Sequence, residues 1–184
     1  MSAPRYQTRR IFRSAVTSQD VVRELVQIMC LAELLAPSRE VWLVSPWISD
    51  FVLLDNRSGR FDAINPQWQR REIRLVDFVL QLITNGTQVI VVTRPDPHNE
   101  TFLDRITDRA EESGLGDRIQ LICRDTLHTK GILTDGGLLL GSMNLTYSGL
   151  EMLEESVYYE TSPEAIAKAR VEFQAYRSGQ ADAC

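Results

Sequence analysis

The sequence His-Thr-Lys-Gly-Ile-Leu-Thr-Asp occupies residues 128–135, and Gly-Ser-Met-Asn follows at residues 141–144. Residues two positions apart on a strand point to the same face. His128 and Lys130 therefore share a face, and so do the Ser and the Asn of the second stretch. Between the two polar pairs lie two apolar runs separated by Asp-Gly-Gly. This pattern predicts a β-hairpin that brings the pairs together.

The length of the hairpin loop decides which side chains meet. We expect a three-residue loop at residues 135–137, with a glycine in the left-handed conformation. That register places Lys130 opposite Ser142 and His128 opposite Asn144, so that all four polar groups converge on one face. A two-residue loop would shift the register and separate the pairs.

These four side chains suit the chemistry of a phosphate ester. A neutral imidazole can attack phosphorus and form a covalent phosphohistidine, which makes His128 a candidate nucleophile. The Lys130 ammonium and the Asn144 amide can hold the non-bridging oxygens as negative charge grows on them, and Ser142 can donate one more hydrogen bond. A second histidine has to protonate the leaving oxygen and later activate water. This set requires no metal ion, and we expect no cofactor.

The two stretches resemble the HKD motif of the phospholipase D superfamily at His128, Lys130, Asp135, Gly141, Ser142 and Asn144. The resemblance implies a histidine nucleophile and a glutamate shortly downstream that holds the other nitrogen of its ring. Glu155, at the start of a predicted strand, occupies that place here, and Glu154 is the alternative. We expect Asp135 and Gly141 to be structural. The linker between these two residues has five residues, whereas six is commoner in the family.

The rest of the chain alternates predicted strands and helices. Continuous apolar, β-branched runs predict buried strands near residues 41–44 and 89–92. The order of elements predicts an α/β fold with a mixed β-sheet sandwiched between helical layers, which is also the fold that the resemblance implies. We expect one phospholipase D-like domain over residues 1–184, with a basic N-terminal arm at 1–14 and a loop insertion at 52–71.

Three features outside the motif each allow two interpretations. Ser45 and Trp47 follow a predicted central strand at the edge where α/β proteins bind ligands, so both could line a substrate groove, although a tryptophan at such a place is more often core. The arm could contact nucleic acid or be a packed or solvated segment; its arginines are Arg5, Arg9, Arg10 and Arg13. The loop insertion could gate substrate, form an interface or be a plain surface excursion.

The mechanism needs two histidines at one phosphate, and this chain has two in total. His98 lies in a predicted loop flanked by prolines and has no lysine two positions later. We expect it to be a surface or groove-edge residue. Short, single-motif members of the superfamily form homodimers whose motifs meet at a twofold axis, and a C2 dimer brings like residues together. The resemblance therefore implies a composite site in which one His128 is nucleophile and the other is general acid.

The single-motif form looks most like the nuclease branch of the superfamily. The resemblance thus implies a metal-independent phosphodiesterase that acts on DNA. The chain also resembles the phospholipase D-like proteins that accompany bacterial DNA-modification and restriction defence systems, which implies partner proteins and a role against foreign DNA. Two alternatives stay open: a DNA-binding or scaffolding subunit that is active only within a larger complex, and a phospholipid phosphodiesterase.

Composition limits these possibilities only broadly. The net charge of −5 excludes a uniformly basic nucleic-acid binder, so a polyanionic substrate has to meet a local basic region. No apolar run has membrane-spanning length, and the first fourteen residues contain no apolar stretch typical of a signal peptide. We expect a cytoplasmic protein that does not bind membranes.

Overall fold

The computed structural model describes residues 8–14 and 20–178. The strands are β1 (Thr8–Arg13), β2 (Glu40–Val44), β3 (Val52–Asp55), β4 (Glu72–Arg74), β5 (Gln88–Thr93), β6 (Ile119–Cys123), β7 (Gly131–Leu133), β8 (Leu138–Gly141) and β9 (Glu155–Glu160). The helices are α1 (Val21–Leu35), α2 (Leu75–Thr84), α3 (Pro97–Glu112), α4 (Tyr147–Glu151) and α5 (Pro163–Ser178), with short 3₁₀ turns at Pro66–Trp68 and Gly116–Arg118.

A seven-stranded sheet in the order β1-β9-β8-β7-β2-β5-β6 forms the centre of the molecule. The neighbours β2, β5 and β6 run parallel, and the other pairs are antiparallel. Alternate side chains of the central strands enter two separate apolar cores. Leu43 and Val91 belong to the core shared with α1, α2 and α3, whereas Trp42 and Ile90 belong to the core shared with α5. Helices therefore cover both faces, which confirms the predicted α/β fold.

The hairpin of β7 and β8 has a different register from the predicted one. Its pairs run from Gly131↔Leu140 to Leu133↔Leu138, and the Thr134 N–H donates to the Gly137 carbonyl at 2.9 Å. The loop therefore contains two residues, Asp135 and Gly136, and the prediction of a three-residue loop was wrong. The Thr134 hydroxyl explains the difference, because it accepts the backbone N–H groups of both following glycines and closes the turn one residue earlier.

The corrected register also changes the partners of the motif residues. Lys130 lies opposite Gly141, whose N–H donates to the Lys130 carbonyl at 3.2 Å, rather than opposite Ser142. Both polar pairs lie just outside the ends of the strands, so the pleat does not hold them on one face. They come together only because the two strand ends meet at the same edge of the sheet.

The structure describes residues 8–14 of the predicted N-terminal arm, and most of them form an edge strand. β1 pairs antiparallel with β9 from Thr8↔Glu160 to Arg13↔Glu155, and residues 1–7, including Arg5, lie outside the described residues. Arg13 is buried, and its guanidinium donates to the backbone carbonyls of Leu150, Leu153 and Gly149. Its positive charge therefore anchors the C-terminal end of α4 and the residues just after it, and is not available to a ligand.

The segment 52–71 was predicted to be a loop, and its first part is a strand instead. β3 pairs with β4 in a separate two-stranded sheet, because the apolar run at residues 52–54 supplies the buried residues Leu53 and Leu54. Only residues 56–71 form an excursion between the two strands. The buried side chain of Trp68 fixes this excursion to the core.

Candidate functional site

The predicted site residues lie at one edge of the seven-stranded sheet. Strand β2 ends here, and β7 begins here because the two strands are antiparallel, with Val44 paired to Gly131. His128 and Lys130 immediately precede β7, Ser142 and Asn144 follow β8, and Glu155 opens β9. Asp135 lies at the tip of the hairpin, at the other end of these strands. There its carboxylate accepts hydrogen bonds from the Arg39 N–H and the Arg170 guanidinium.

Lys130 and His128 differ sharply in exposure. The Lys130 side chain is only 8% exposed, and its ammonium donates to the His128 carbonyl at 2.8 Å, whereas His128 is exposed. Burial lowers the pKa of Lys130, and the nearby guanidinium of Arg94 lowers it further, while the Glu155 carboxylate opposes both effects. The Lys130 ammonium is thus held by the backbone carbonyl of an exposed histidine and is influenced by both a second cation and an acid.

Glu155 is buried and is engaged with Ser142. The Ser142 hydroxyl donates to Glu155 Oε2 and accepts the Ser156 N–H at 3.0 Å. Within the described residues, no hydrogen bond joins Glu155 to His128, so the role that the resemblance implies for this glutamate remains a prediction. The alternative, Glu154, is exposed. The observed contact makes Ser142 a support for Glu155.

Asn144 is positioned by the loop that follows β2. The Ser45 hydroxyl accepts the Leu145 N–H at 3.0 Å, donates to the Trp47 carbonyl at 2.7 Å and lies 3.5 Å from Asn144 Oδ1. Ser45 is only 1% exposed. It therefore tethers the Asn144 loop and does not line a groove. Gly149 keeps this loop in place because a Cβ there would overlap the Asn144 carbonyl.

Trp47 lies at the surface of the site and not in a core. Its side chain is 36% exposed, and its indole Nε1–H donates to Asp96 Oδ2 at 3.1 Å. It lines a pocket of about 390 Å³ formed by Trp47, Ser49, His98, Asn144, Thr146, Tyr147 and Ser148. Trp47 is therefore not a core residue, and its role in a substrate groove stays a prediction.

The sequence interpretation missed Arg94. Its guanidinium carbon lies 5.3 Å from the centre of the Trp47 ring, and its Nε donates to the Leu127 carbonyl at 2.8 Å. A usable signal was present, because Arg94 directly follows β5, and the carboxyl ends of adjacent parallel strands meet at one edge of the sheet. Arg94 thus follows β5 at the same edge of the sheet where Trp47 follows β2.

The two histidines line different pockets. His128 lines a second pocket of about 430 Å³, together with Arg124, Thr126, Leu127, Thr129, Ala175 and Tyr176. His98 is exposed near the start of α3 and lines the pocket of Trp47 and Asn144. Arg94 contacts both Trp47 of the first pocket and Leu127 of the second. His98 is thus a groove-edge residue, as expected.

Neither a metal-ligand cluster nor a membrane span is found in the described parts of the chain. Over residues 8–14 and 20–178, no three His, Cys, Asp or Glu side chains are grouped so that they could hold a metal ion. No helix in the same residues is long and apolar enough to cross a membrane. The site therefore consists of a histidine, cations, an amide and a buried carboxylate.

Residues 53–177 match the family model described as "Cardiolipin synthase, PLD-like domain". This match spans more than half of the chain, which therefore belongs to the phospholipase D superfamily of phosphodiesterases. No curated protein matches the sequence at a significant level.

Solved structures show the same fold at low sequence identity. Nuc from Salmonella typhimurium, a phospholipase D family member, aligns with 98% of this chain and 100% of its own, with a TM-score of 0.59 and 13% identity. NucT from Helicobacter pylori aligns with 97% of this chain and 100% of its own, with a TM-score of 0.59 and 12% identity. Phosphatidylserine synthase from Haemophilus influenzae aligns with 99% of this chain but 41% of its own, with a TM-score of 0.60 and 16% identity.

Proposed function

We propose that this protein is a metal-independent phosphodiesterase that cleaves DNA through a phosphohistidine on His128. One observation carries the proposal: an exposed histidine lies beside the buried ammonium of Lys130, at the sheet edge that also holds Asn144. An ammonium with few solvent contacts and a fixed amide can stabilise charge that develops on phosphate oxygens.

The proposed reaction has two displacement steps. A ring nitrogen of His128 attacks phosphorus, a P–N bond forms, and the bond to the leaving oxygen breaks as that oxygen takes a proton from a second imidazole. Water then attacks the phosphohistidine after losing a proton to that same second imidazole, and the P–N bond breaks. Lys130 and Asn144 hold the non-bridging oxygens in both steps.

We propose that a second copy of the chain supplies the second imidazole. His98 lines the pocket of Trp47 and Asn144, whereas His128 lines the other pocket, so His98 is poorly placed to serve as the second imidazole. Large apolar side chains next to the site are exposed, as is usual at interaction surfaces. These are Tyr147, Met152 and Leu153, with exposures of 59%, 69% and 50%.

The first experiment measures cleavage of single- and double-stranded DNA in excess EDTA by wild type, His128→Ala and His98→Ala. We expect cleavage that resists EDTA, is abolished in His128→Ala and persists in His98→Ala. Cleavage that survives His128→Ala would contradict the assignment of the nucleophile. Loss of cleavage in His98→Ala with the fold intact would instead identify His98 as the acid and remove the need for a second copy.

Mixed dimers test the composite site. Wild type and His128→Ala are unfolded together in equal amounts and refolded, so that protomers combine at random. If one site requires His128 from both protomers, only dimers of two wild-type protomers are active. The mixture then has about one quarter of the activity of the same total amount of refolded wild-type protein. If each protomer works alone, about one half remains.

DNA is favoured over phospholipid because two cations, Lys130 and Arg94, lie near each other at the site and suit a polyanionic strand. The resemblance to defence-associated proteins extends the proposal to foreign DNA. Expression of wild type, but not of His128→Ala, should then lower the plating efficiency of phage.

If no DNA is cleaved, His128-dependent hydrolysis of phosphatidylglycerol vesicles tests the lipid alternative. Inactivity on both substrates favours a subunit that depends on partner proteins.

A further inference from the structure

Arg94 is held at the site in a way that leaves its charge available. Its Nε is bound to the Leu127 carbonyl, and its guanidinium lies 5.3 Å from the centre of the Trp47 ring. Trp47 is in turn fixed by its hydrogen bond to Asp96. Among the described residues, neither terminal nitrogen of Arg94 has a hydrogen-bond partner. The side chain is therefore oriented, half-buried and able to donate to a ligand.

The acid closest in sequence to Arg94 is already engaged. Asp96 accepts the indole N–H of Trp47 with one oxygen and the His98 N–H with the other, at 3.1 and 2.9 Å. No ion pair within 4.0 Å involves Arg94 in the described part of the chain. Burial lowers the pKa of the Lys130 ammonium, and repulsion by Arg94 lowers it further. Neither Lys130 nor Arg94 forms an ion pair within 4.0 Å among the described residues, and two such neighbouring cations are typical of a site that receives more than one negative charge.

We infer that Arg94, supported by Trp47, forms a subsite for the phosphate next to the one that is cleaved, and that the substrate is therefore a nucleic-acid strand. The inference rests on the proposed function and specifies its substrate class. The Lys130 ammonium is bound to the His128 carbonyl and serves the reacting phosphate, whereas the Arg94 guanidinium lies against Trp47, which lines the neighbouring pocket together with Asn144. A strand repeats its phosphodiester and carries bases that can stack on an aromatic ring. A lipid with a single phosphodiester, such as phosphatidylglycerol, has no adjacent phosphodiester for Arg94 to bind.

The test compares two substrates and two arginines. Bis(p-nitrophenyl) phosphate offers one phosphodiester, and a single-stranded oligonucleotide offers a reacting phosphate with neighbours on both sides. Arg118→Gln is the matched control, because Arg118 is also half-buried and also donates to one backbone carbonyl, that of Gly86, but it lies at the far end of β6. Arg94→Gln is measured beside it with both substrates.

We expect Arg94→Gln to raise KM for the oligonucleotide about tenfold, to change its kcat less than about threefold, and to change kcat/KM for the small ester less than about threefold. The slope of log KM against log salt concentration should become shallower by about 0.7, the value for one lost phosphate contact on a single strand. Arg118→Gln should match wild type in every measurement. A merely structural role of Arg94 would affect both substrates alike and leave the salt slope unchanged, and that result would overturn the inference.

A binding measurement separates the inference from the proposed function. Affinity for the labelled oligonucleotide is measured with His128→Ala and with the double variant His128→Ala/Arg94→Gln. If wild type cleaves nothing but Arg94→Gln weakens binding about tenfold with the shallower salt slope, the subsite stands and the nuclease proposal fails. If wild type cleaves DNA and neither binding nor KM responds to Arg94→Gln, the nuclease proposal stands and the subsite fails.

Discussion

Replacing Gly141 by alanine should disturb both the sheet and the site. A Cβ at this position would overlap the Ser156 carbonyl and lie 2.9 Å from Cα of Val157, and both are backbone atoms of β9. Strands β8 and β9 then have to separate, which breaks the hydrogen bond of 3.0 Å from the Ser142 N–H to the Ser156 carbonyl. Overpacking costs about 1–3 kcal/mol and the lost bond adds about 1 kcal/mol, so we expect a loss of about 2–4 kcal/mol.

Calorimetry measures this loss directly. For a protein of this size, each kcal/mol corresponds to roughly 2–4 °C, so Gly141→Ala should lower Tm by roughly 4–16 °C. Gly136→Ala is the control: a Cβ there meets nothing within 4 Å, and its φ is not in the left-handed region. That change should be neutral or stabilise by about 0.4–1 kcal/mol. A Gly141→Ala protein that melts within about 2 °C of wild type would refute the steric argument.

Three further changes test other parts of the fold. Arg13→Ala leaves buried backbone carbonyls without their donor and should lower the free energy of unfolding in urea by at least about 2 kcal/mol. The control Arg9→Ala, at an exposed position of the same strand, should lower it by less than about 0.5 kcal/mol. Equal effects of the two changes would contradict an anchoring role for Arg13. Asp135→Ala removes two hydrogen bonds at the hairpin tip and should cost about 1–2 kcal/mol, and an unchanged urea midpoint would show that the tip is held by other contacts. In the folded protein the pKa of Lys130 is below 10.5, so the folded protein binds this proton more weakly than the unfolded chain does. The charged Lys130 therefore destabilises the fold at neutral pH, and this destabilisation declines as pH rises toward 10.5. Lys130→Met should therefore gain stability relative to wild type at pH 7 and lose that gain near pH 10.5, and a gain independent of pH would exclude the charge as its cause.

The fold could be predicted because its central strands carry continuous apolar runs. Residues 41–44 and 89–92 alternate between the two cores, so nearly every position is apolar, and such runs indicate a sheet covered on both faces. The hairpin register could not be predicted in the same way. It depends on the Thr134 hydroxyl and on the Asp135 contacts with Arg39 and Arg170, which lie 96 and 35 residues away.

In the candidate site too, residues placed by local spacing could be predicted, whereas residues placed by long-range contacts could not. Local spacing placed His128, Lys130 and Asn144 at one edge, because these residues lie at the ends of neighbouring strands. Ser45 and Arg94 depend on contacts across the sheet: Ser45 binds the Leu145 N–H one hundred residues away, and Arg94 binds the Leu127 carbonyl. A sequence pattern shows that each follows a strand but cannot show whether its side chain is buried or available to a ligand.

The pairing of β1 with β9 has a consequence for how the chain folds as it is synthesised. The pairs run from Thr8↔Glu160 to Arg13↔Glu155. At about 5–20 residues per second, β9 is completed roughly 7–30 s after β1. During that time β1 has no partner in the nascent chain, although it carries the apolar residues Ile11 and Phe12. An unpaired strand exposes backbone N–H and C=O groups that can pair with other chains, so fragments that end before residue 155 should aggregate more than the full chain, and chaperone binding to the nascent chain should end when β9 emerges.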